Sequence, residues 1–462
     1  MPTVSESLSQ QFQVRREVSQ TSDLADLLLG RLKYDQTSHQ ASAVKDLERR
    51  LEAGPLNNVT GPKSQEFIRW LTSQYLVINK TIRGVSYYPI HPALALSING
   101  EGPRVEGFIS LMVDSFTIEE RQNLVEKLWM PESLPIFEQL IYNLVEWQLP
   151  PTPMATPAAE KIDSSLAPSI TITPSVKDLL IKTKQDLLAL SSVTTGVQAF
   201  VVHAGRLLAL SLSRFYLLQA GIPLDVPIYA APAADSHEGV RALAHETLEL
   251  HRARYEKVLE ERFRIFTNQA IKEYGYSEQD LQNESRARTL VGQIFHRNAN
   301  IIPHRQEDYQ KALETLGSFT NLAYHYYWSR SGAPGRFLRQ LHTAHLNMSK
   351  KAGLANSRSQ YSQWSFYWLS PSLIETLLLV SQARMKKDRI LISSLLAEWR
   401  KRYDIAALID ESWEDIYRRD FRSFGSPETL NELNLRRFME ILAERGRLRK
   451  NSDDFPWVVL KD

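Results

Sequence analysis

Residues 149 to 174, LPPTPMATPAAEKIDSSLAPSITITP, hold six prolines in 26 positions and interrupt an otherwise helical hydrophobic rhythm. Proline has no amide hydrogen to donate and pushes the residue before it out of the helical region. No regular element can run through such a stretch, so it reads as an extended linker. A packed unit must end before it and another must begin after it. The break therefore predicts an N-terminal helical domain over 1–148, the linker over 149–174, a central helical domain over 175–365 and a C-terminal domain over 366–462. The chain has 462 residues, too many for one ordinary core at roughly 100 to 200 residues per domain.

On both sides of the linker, apolar residues recur at three- and four-residue spacing, the helical period. Ahead of it this holds for 22–34, 43–54, 64–77 and 133–149, and for 116–129, where Thr117 is placed to cap. The stretch 81–98 is β-branched, aromatic and broken by prolines, and reads as a hairpin or an irregular crossing. Beyond the linker, helices are expected over 175–191, 195–221, 238–275, 277–297 and 305–328. The fold class predicted is all-α, in several domains.

The segment 195–221 is apolar enough to pass for a membrane span. It carries His203, Arg206 and Arg214, and an arginine near a bilayer centre costs about 2.5 to 3.5 kcal/mol on an insertion scale. A core helix with polar contacts is the expectation, with no membrane partner. The N-terminus lacks a basic region followed by an apolar one, which points to a cytoplasmic protein.

The last hundred residues predict three compact helices, 372–385, 390–403 and 427–445. The third is well specified: Ser426 suits the N-cap, Pro427 the first helical position and Gly446 the C-terminal cap. Leu435, Phe438, Met439 and Leu442 make its apolar stripe. RLRK and FPWVVL then read as two strands joined by NSDD. Three helices followed by a hairpin is the order of a winged-helix-like module, a variant of the helix-turn-helix.

There are no cysteines, which excludes disulfides, iron-sulfur clusters, thiolate zinc sites and a cysteine nucleophile. Among histidines, HETLELH (His245 to His251) most invites a metal reading. A zincin helix needs its second histidine four residues after the first, and here Glu249 stands in that place. Either His245, Glu246 and Glu249 serve a metal-dependent hydrolase, or the string is a solvated helix face. His296 and His304, with Arg297 and Arg305, flank a loop that suits either a phosphate or plain solvent. SGAPGR (331–336) lacks the ending of a phosphate-binding loop. No nucleophile elbow is present, no cofactor is implied, and a non-enzymatic role is the leading expectation.

With 55 Lys+Arg against 53 Asp+Glu, the net charge is only +2. Nucleic-acid binding would have to come from local clustering. From Thr315 to Ile374 there is no Asp or Glu, while Arg330, Arg336, Arg339, Lys350, Lys351 and Arg358 carry positive charge. Aromatic clusters at 324–328 and 361–368 flank these cations. Cations close on phosphates and flat rings stack on bases, so these six are candidate nucleic-acid-binding residues. The competing reading is a solvated basic helix end beside core aromatics. Arg447, Arg449 and Lys450 of the terminal hairpin join the candidates, opposed by Asp453 and Asp454 in the turn.

SPSLIETLLLVSQ, ISSLLAEWRKRYDI and NLRRFMEILAERGRLRKNSDD, over about residues 370 to 455, resemble the C-terminal ends of accessory proteins from bacterial anti-phage defence and DNA-modification-linked restriction clusters. The resemblance implies a non-catalytic, DNA-associated accessory or scaffolding subunit. Its partners would be a helicase, an ATPase or a nuclease of the same system. The alternative is a helical protein-interaction subunit of a larger assembly that touches no nucleic acid.

Overall fold

The computed structural model describes residues 24, 25, 28, 29, 32, 106–128, 172–194, 196–219, 227–295, 302–329, 345–357, 365–411, 424–450 and 456–460. The helices expected over 43–54, 64–77 and 133–149, the stretch 81–98 and most of the linker lie outside these residues. Helices dominate what is described, and the strands are short.

Near the N-terminus, Leu24, Ala25, Leu28, Leu29 and Leu32 are helical and buried, as their spacing along one face requires. Helix α1 spans Glu106–Asp114 and α2 spans Ile118–Leu128. Thr117 begins α2 with a reciprocal capping box: its hydroxyl accepts from the Glu120 amide at 3.2 Å, and the Glu120 carboxylate accepts from the Thr117 amide at 2.8 Å.

The last proline of the break opens a helix. Thr173 accepts from the Val176 amide at 3.2 Å, and Pro174 occupies the first turn of α3, Pro174–Val193. Val176, Leu179, Leu180, Thr183, Asp186, Leu187 and Leu190 form its buried stripe. That stripe packs against α4 (Gly196–Gln219) and, far along the chain, against α10 (Pro371–Met385). Within α4, Ala199–Leu218 is long and apolar enough to cross a membrane, and 78% of its apolar window is buried inside the protein. Its polar groups find partners there: Ser211 bonds Thr183 at 2.7 Å, His203 Nδ1 bonds Thr376 at 2.8 Å, and Arg214 pairs with Asp404. It is a core helix.

Strand β1 (Ile228–Tyr229) and a 3₁₀ turn, Pro232–Asp235, lead into α5, Glu238–Glu273. At 36 residues, α5 is roughly 54 Å long at 1.5 Å per residue. It serves as a spine, touching β1, the 3₁₀ turn, β3 (Ser365–Tyr367), α6 (Glu284–Phe295), α8 (Phe319–Ser329) and α12 (Pro427–Glu444). The single helix expected over 305–328 is two. α7 (Gln306–Leu316) stops at Gly317, whose φ of 76° is left-handed, and α8 starts afresh at Phe319.

Helix α9 (345–352) runs into β2 (Ala355–Ser357), which pairs antiparallel with β3 (Ser365–Tyr367). After α10 come β4 (Arg389–Leu391), α11 (Ile392–Tyr403) and β5 (Ile405–Ala406), the last parallel to β1. Helix α12, Pro427–Glu444, begins as its sequence predicts: Ser426 accepts from the Thr429 amide at 3.2 Å and Pro427 follows. It ends in a Schellman turn. Gly446 has φ 67°, its amide reaches the Ala443 carbonyl at 3.0 Å, and the Arg447 amide reaches Leu442 at 2.8 Å. Strands β6 (Leu448–Lys450) and β7 (Pro456–Val459) follow. They join β4 in an antiparallel sheet of order β4-β7-β6, so the last strand is central. The helix expected over 390–403 thus begins two residues late, because Arg389 to Leu391 pair with β7 instead.

The end of α11 is tied to the helices beyond the linker by buried charge. Asp186 of α3 is 2% exposed. It receives Arg402 Nε at 2.8 Å and Nη2 at 2.6 Å, and the Tyr403 hydroxyl at 2.9 Å. Burial works against the charge of Arg402, but the carboxylate outweighs it and holds the guanidinium above its ordinary value. Breaking such a pair strands a buried charge. Asp186→Ala is expected to cost about 3 to 5 kcal/mol by chemical denaturation of the full chain, with much of the loss recovered in Asp186→Leu/Arg402→Met. A loss below about 1 kcal/mol would rank the pair with ordinary surface bridges.

Candidate nucleic-acid interface

Of the nine candidate cations, Arg330, Arg336, Arg339 and Arg358 lie outside the described residues, as do His296, Arg297, His342 and SGAPGR. Lys350 and Lys351 sit in the last turn of α9, both half-buried. Desolvation holds the Lys350 ammonium below its ordinary value. Arg447 and Arg449 belong to the terminal hairpin, Arg449 exposed and Arg447 half-buried; Lys450 closes β6.

The aromatic clusters that flank the acid-free stretch are core wherever they are described. Phe263 of α5 meets Tyr324 and Tyr327 at ring-centroid distances of 5.4 and 5.3 Å. Phe366 and Tyr367 are buried in β3. Among the described side chains of the first cluster, Tyr327 is buried, Tyr324 and Tyr326 are half-buried and His325 is exposed. Rings packed this way hold helices together and offer no stacking platform for bases.

The histidines of HETLELH also turn to β3. His245 Nδ1 bonds the Ser365 carbonyl at 2.7 Å and His251 Nδ1 the Tyr367 hydroxyl at 2.9 Å, while Glu249 pairs with Arg252 at 3.2 Å. Among the described residues no group of three or more His, Asp or Glu is placed to share a metal ion. The Tyr367 hydroxyl also reaches His345 Nε2 at 2.9 Å. On its other side, His345 Nδ1 lies 3.0 Å from the Ser213 hydroxyl and 3.1 Å from the Ser213 carbonyl. Ser213 in turn bonds Ser349 at 2.7 Å.

A carbonyl can only accept, so the bond pattern places a proton on His345 Nδ1 and leaves Nε2 to accept from Tyr367. Tyr367 oxygen then accepts from His251 Nδ1. The chain of bonds ties α5, β3, α9 and α4 together. Serine beside histidine suggests a nucleophile, but Ser213, Ser349, His251 and Tyr367 are 0% exposed and His345 only 4%, so this serine and histidine are closed to substrate. Tyr367→Phe keeps the ring and leaves two buried imidazole nitrogens without this partner. A stability loss of about 1 to 3 kcal/mol is expected, read from denaturant midpoints at unchanged slope; no shift would show that the hydroxyl is dispensable.

An accessible charged surface is found on the β4-β7-β6 sheet. Register assigns its faces: Ile390, Val458 and Leu448 align across the three strands and point into the core. The alternate positions form the outer face. Trp457 stands between Leu391 on β4 and Arg449 on β6, and Val459 lies opposite Arg389, its amide bonding the Arg447 carbonyl at 2.8 Å. Arg389, Arg447 and Arg449 therefore share a face around Trp457. The Arg389 guanidinium rests 5.1 Å from the indole centre, a cation–π contact that orders the side chain before any ligand arrives. Among the described residues of this outer face there is no carboxylate. Lys386, Lys387 and Asp388, all exposed, adjoin it in the turn before β4.

Arg389 and Trp457 were not among the residues singled out from sequence. The available signal was the basic break KKDR followed by ILI (386–392), an apolar β-prone run that pairs as a strand before it turns helical. Helix α12 differs from the sheet. Its solvent stripe, Glu428, Glu432, Arg436, Glu440 and Glu444, repeats every four residues. Arg436 is bonded to Glu432 at 2.9 Å, and the half-buried Arg437 to Glu440 at 3.1 Å and Asp235 at 3.5 Å.

No family model, no curated protein and no solved structure matches the chain.

Proposed function

We propose that the protein is a non-catalytic, DNA-associated accessory or scaffolding subunit of a prokaryotic anti-phage defence or DNA-modification system, acting in the cytoplasm. One observation carries the reading: an exposed sheet face with three arginines and no described carboxylate, in a module whose element order suits DNA. Among the described residues that order is α10, β4, α11, β5, α12, β6, β7, with β7 central in the β4-β7-β6 sheet and β5 paired elsewhere, with β1. Setting β5 aside, the succession supports reading the module as winged-helix-like, with the terminal hairpin as its wing. The resemblance of residues 370 to 455 to accessory proteins of such systems points the same way, and makes a helicase, an ATPase or a nuclease the expected protein partner.

A second reading, a protein-interaction subunit without nucleic-acid contact, is favoured by the acidic stripe of α12 and by how firmly the module is fastened to the rest. Arg402, Arg214 and Asn434 all bond across to distant segments. A module held in place this way docks partners as a fixed part of a larger surface.

Fluorescence anisotropy of the full chain with labelled short duplexes separates the two. Binding at low ionic strength that weakens steeply between about 50 and 200 mM salt is the expected result. No binding at the lowest salt would remove the DNA reading and leave the protein-docking one.

A further inference from the structure

In a helix-turn-helix architecture the recognition helix lies in the major groove and reads base edges. By order in the chain, that helix here is α12. Its exposed stripe carries four glutamates and one arginine, and the arginine is bonded to one of those glutamates. Duplex DNA carries one negative charge per roughly 1.7 Å of axis, so this stripe meets like charge wherever it approaches. Glutamate can accept from cytosine, but nothing described on the stripe supplies the phosphate contacts that would hold it in a groove.

The sheet face has the opposite character. Arg389 lies on β4, and Arg447 and Arg449 lie two residues apart at β6, with Val459 and Trp457 of β7 between the two strands. Neighbouring strands are about 4.8 Å apart, so arginines on β4 and β6 stand roughly 10 Å apart with β7 between them. Their flexible forks can then engage separate phosphates along or across a backbone. Trp457 gives Arg389 a fixed bed, and its indole, itself half-buried, is part of the sheet surface. Contacts of this kind set position and affinity without reading bases.

We infer that the C-terminal module binds the phosphate backbone of duplex DNA through the outer face of the β4-β7-β6 sheet, independently of sequence, with α12 turned away from the duplex. This rests on the DNA reading above and names its mode. The acidic stripe then acts as an orientation device, since the approach that would bring α12 into a groove is the repelled one.

The test uses the full chain and duplexes of several unrelated sequences in a salt series. Three arginines neutralising three phosphates give a slope of log affinity on log salt of about −2.7, or about a 40-fold loss between 50 and 200 mM. Affinities should agree within about twofold across sequences, as backbone contacts require. Arg389→Gln/Arg449→Gln, both exposed positions, should lower the magnitude of the slope by about 1.8 and weaken all duplexes equally. Adding Arg447→Gln should remove most of the remainder, with thermal melting confirming each variant folded. Replacing Glu428, Glu432, Glu440 and Glu444 by Gln should tighten binding without creating sequence preference.

Binding that keeps its full slope in the Arg389/Arg449 variant, is lost in Arg436→Ala, or differs more than tenfold between sequences would overturn this mode while leaving the DNA reading standing. Preference for a single strand with little salt dependence would overturn it too, by making Trp457 a stacking site. Absence of any duplex binding by the unaltered protein would instead remove the DNA reading itself.

Discussion

The C-terminal end of α11 is where the fold is locked. Two oppositely oriented charge pairs meet there. Asp186 from α3 takes Arg402, and Arg214 from α4 takes Asp404, with the Arg214 guanidinium also reaching the Arg402 carbonyl at 3.3 Å. Asp404 sits at the C-cap with a left-handed φ of 56°. A guanidinium at a helix C-terminus meets unsatisfied carbonyls and the negative end of the dipole, so Arg214 is favoured there even before its ion pair is counted. The next residue starts β5, whose parallel pairing with β1 depends on the same turn: the Ile228 amide bonds the Asp404 carbonyl at 3.0 Å. One corner thus joins α3, α4, α11, β1 and β5, across more than half of the described chain.

Polar side chains in this core are specific where apolar ones would be merely adhesive. Asn434 of α12 bonds Tyr229 at 2.6 Å and accepts from the Ala233 amide at 3.3 Å. One turn back, Asn431 both donates to and accepts from the backbone of Ile409 at 2.9 and 2.7 Å. Each amide meets a backbone or hydroxyl that would be unsatisfied in a slipped arrangement, and an unmade buried bond costs more than a made one gains. The Ser213–His345–Tyr367–His251 chain does the same for α4, α9, β3 and α5. These bonds determine how α12, and with it the sheet, is presented at the surface.

Local signals were well legible in the sequence, and tertiary partners were not. Ser426-Pro427 marked the start of α12 to the residue and Gly446 its end to within one, and Thr117 marked the start of α2, because a cap acts within one turn and needs no distant partner. Gly317 was passed over inside the helix expected at 305–328, since one glycine in a periodic run is tolerated unless its φ turns positive, which sequence does not reveal. Asp186 stood on an apolar stripe with no sign that Arg402, 216 residues later, would meet it. The aromatics at 324–328 could be read as core or as a stacking surface, with core the commoner role of such runs, and position against α5 decided the described ones. Of the candidate face, Arg449 and Arg447 were found from local charge. Arg389 and Trp457 emerged only with the β4–β7 register, because which residues share a sheet face depends on pairing that is non-local.

Near-zero net charge conceals a division within the C-terminal module. Each arginine described on α12 has a carboxylate close by, and Arg445, its C-cap, pairs with Glu375 of α10. On the sheet, Arg389 rests on Trp457, and Arg447 and Arg449 share its outer face. Like charges placed together on a folded surface repel, so a cluster of this kind does not stabilise the fold that carries it. The apolar packing of the sheet is supplied by Ile390, Leu448 and Val458 on its inner side, to which Arg389 adds its contact with Trp457 on the outer side. Under the proposed function, the regularly spaced phosphates of a duplex would suit such a face, because arginine forks contact phosphates without reading bases.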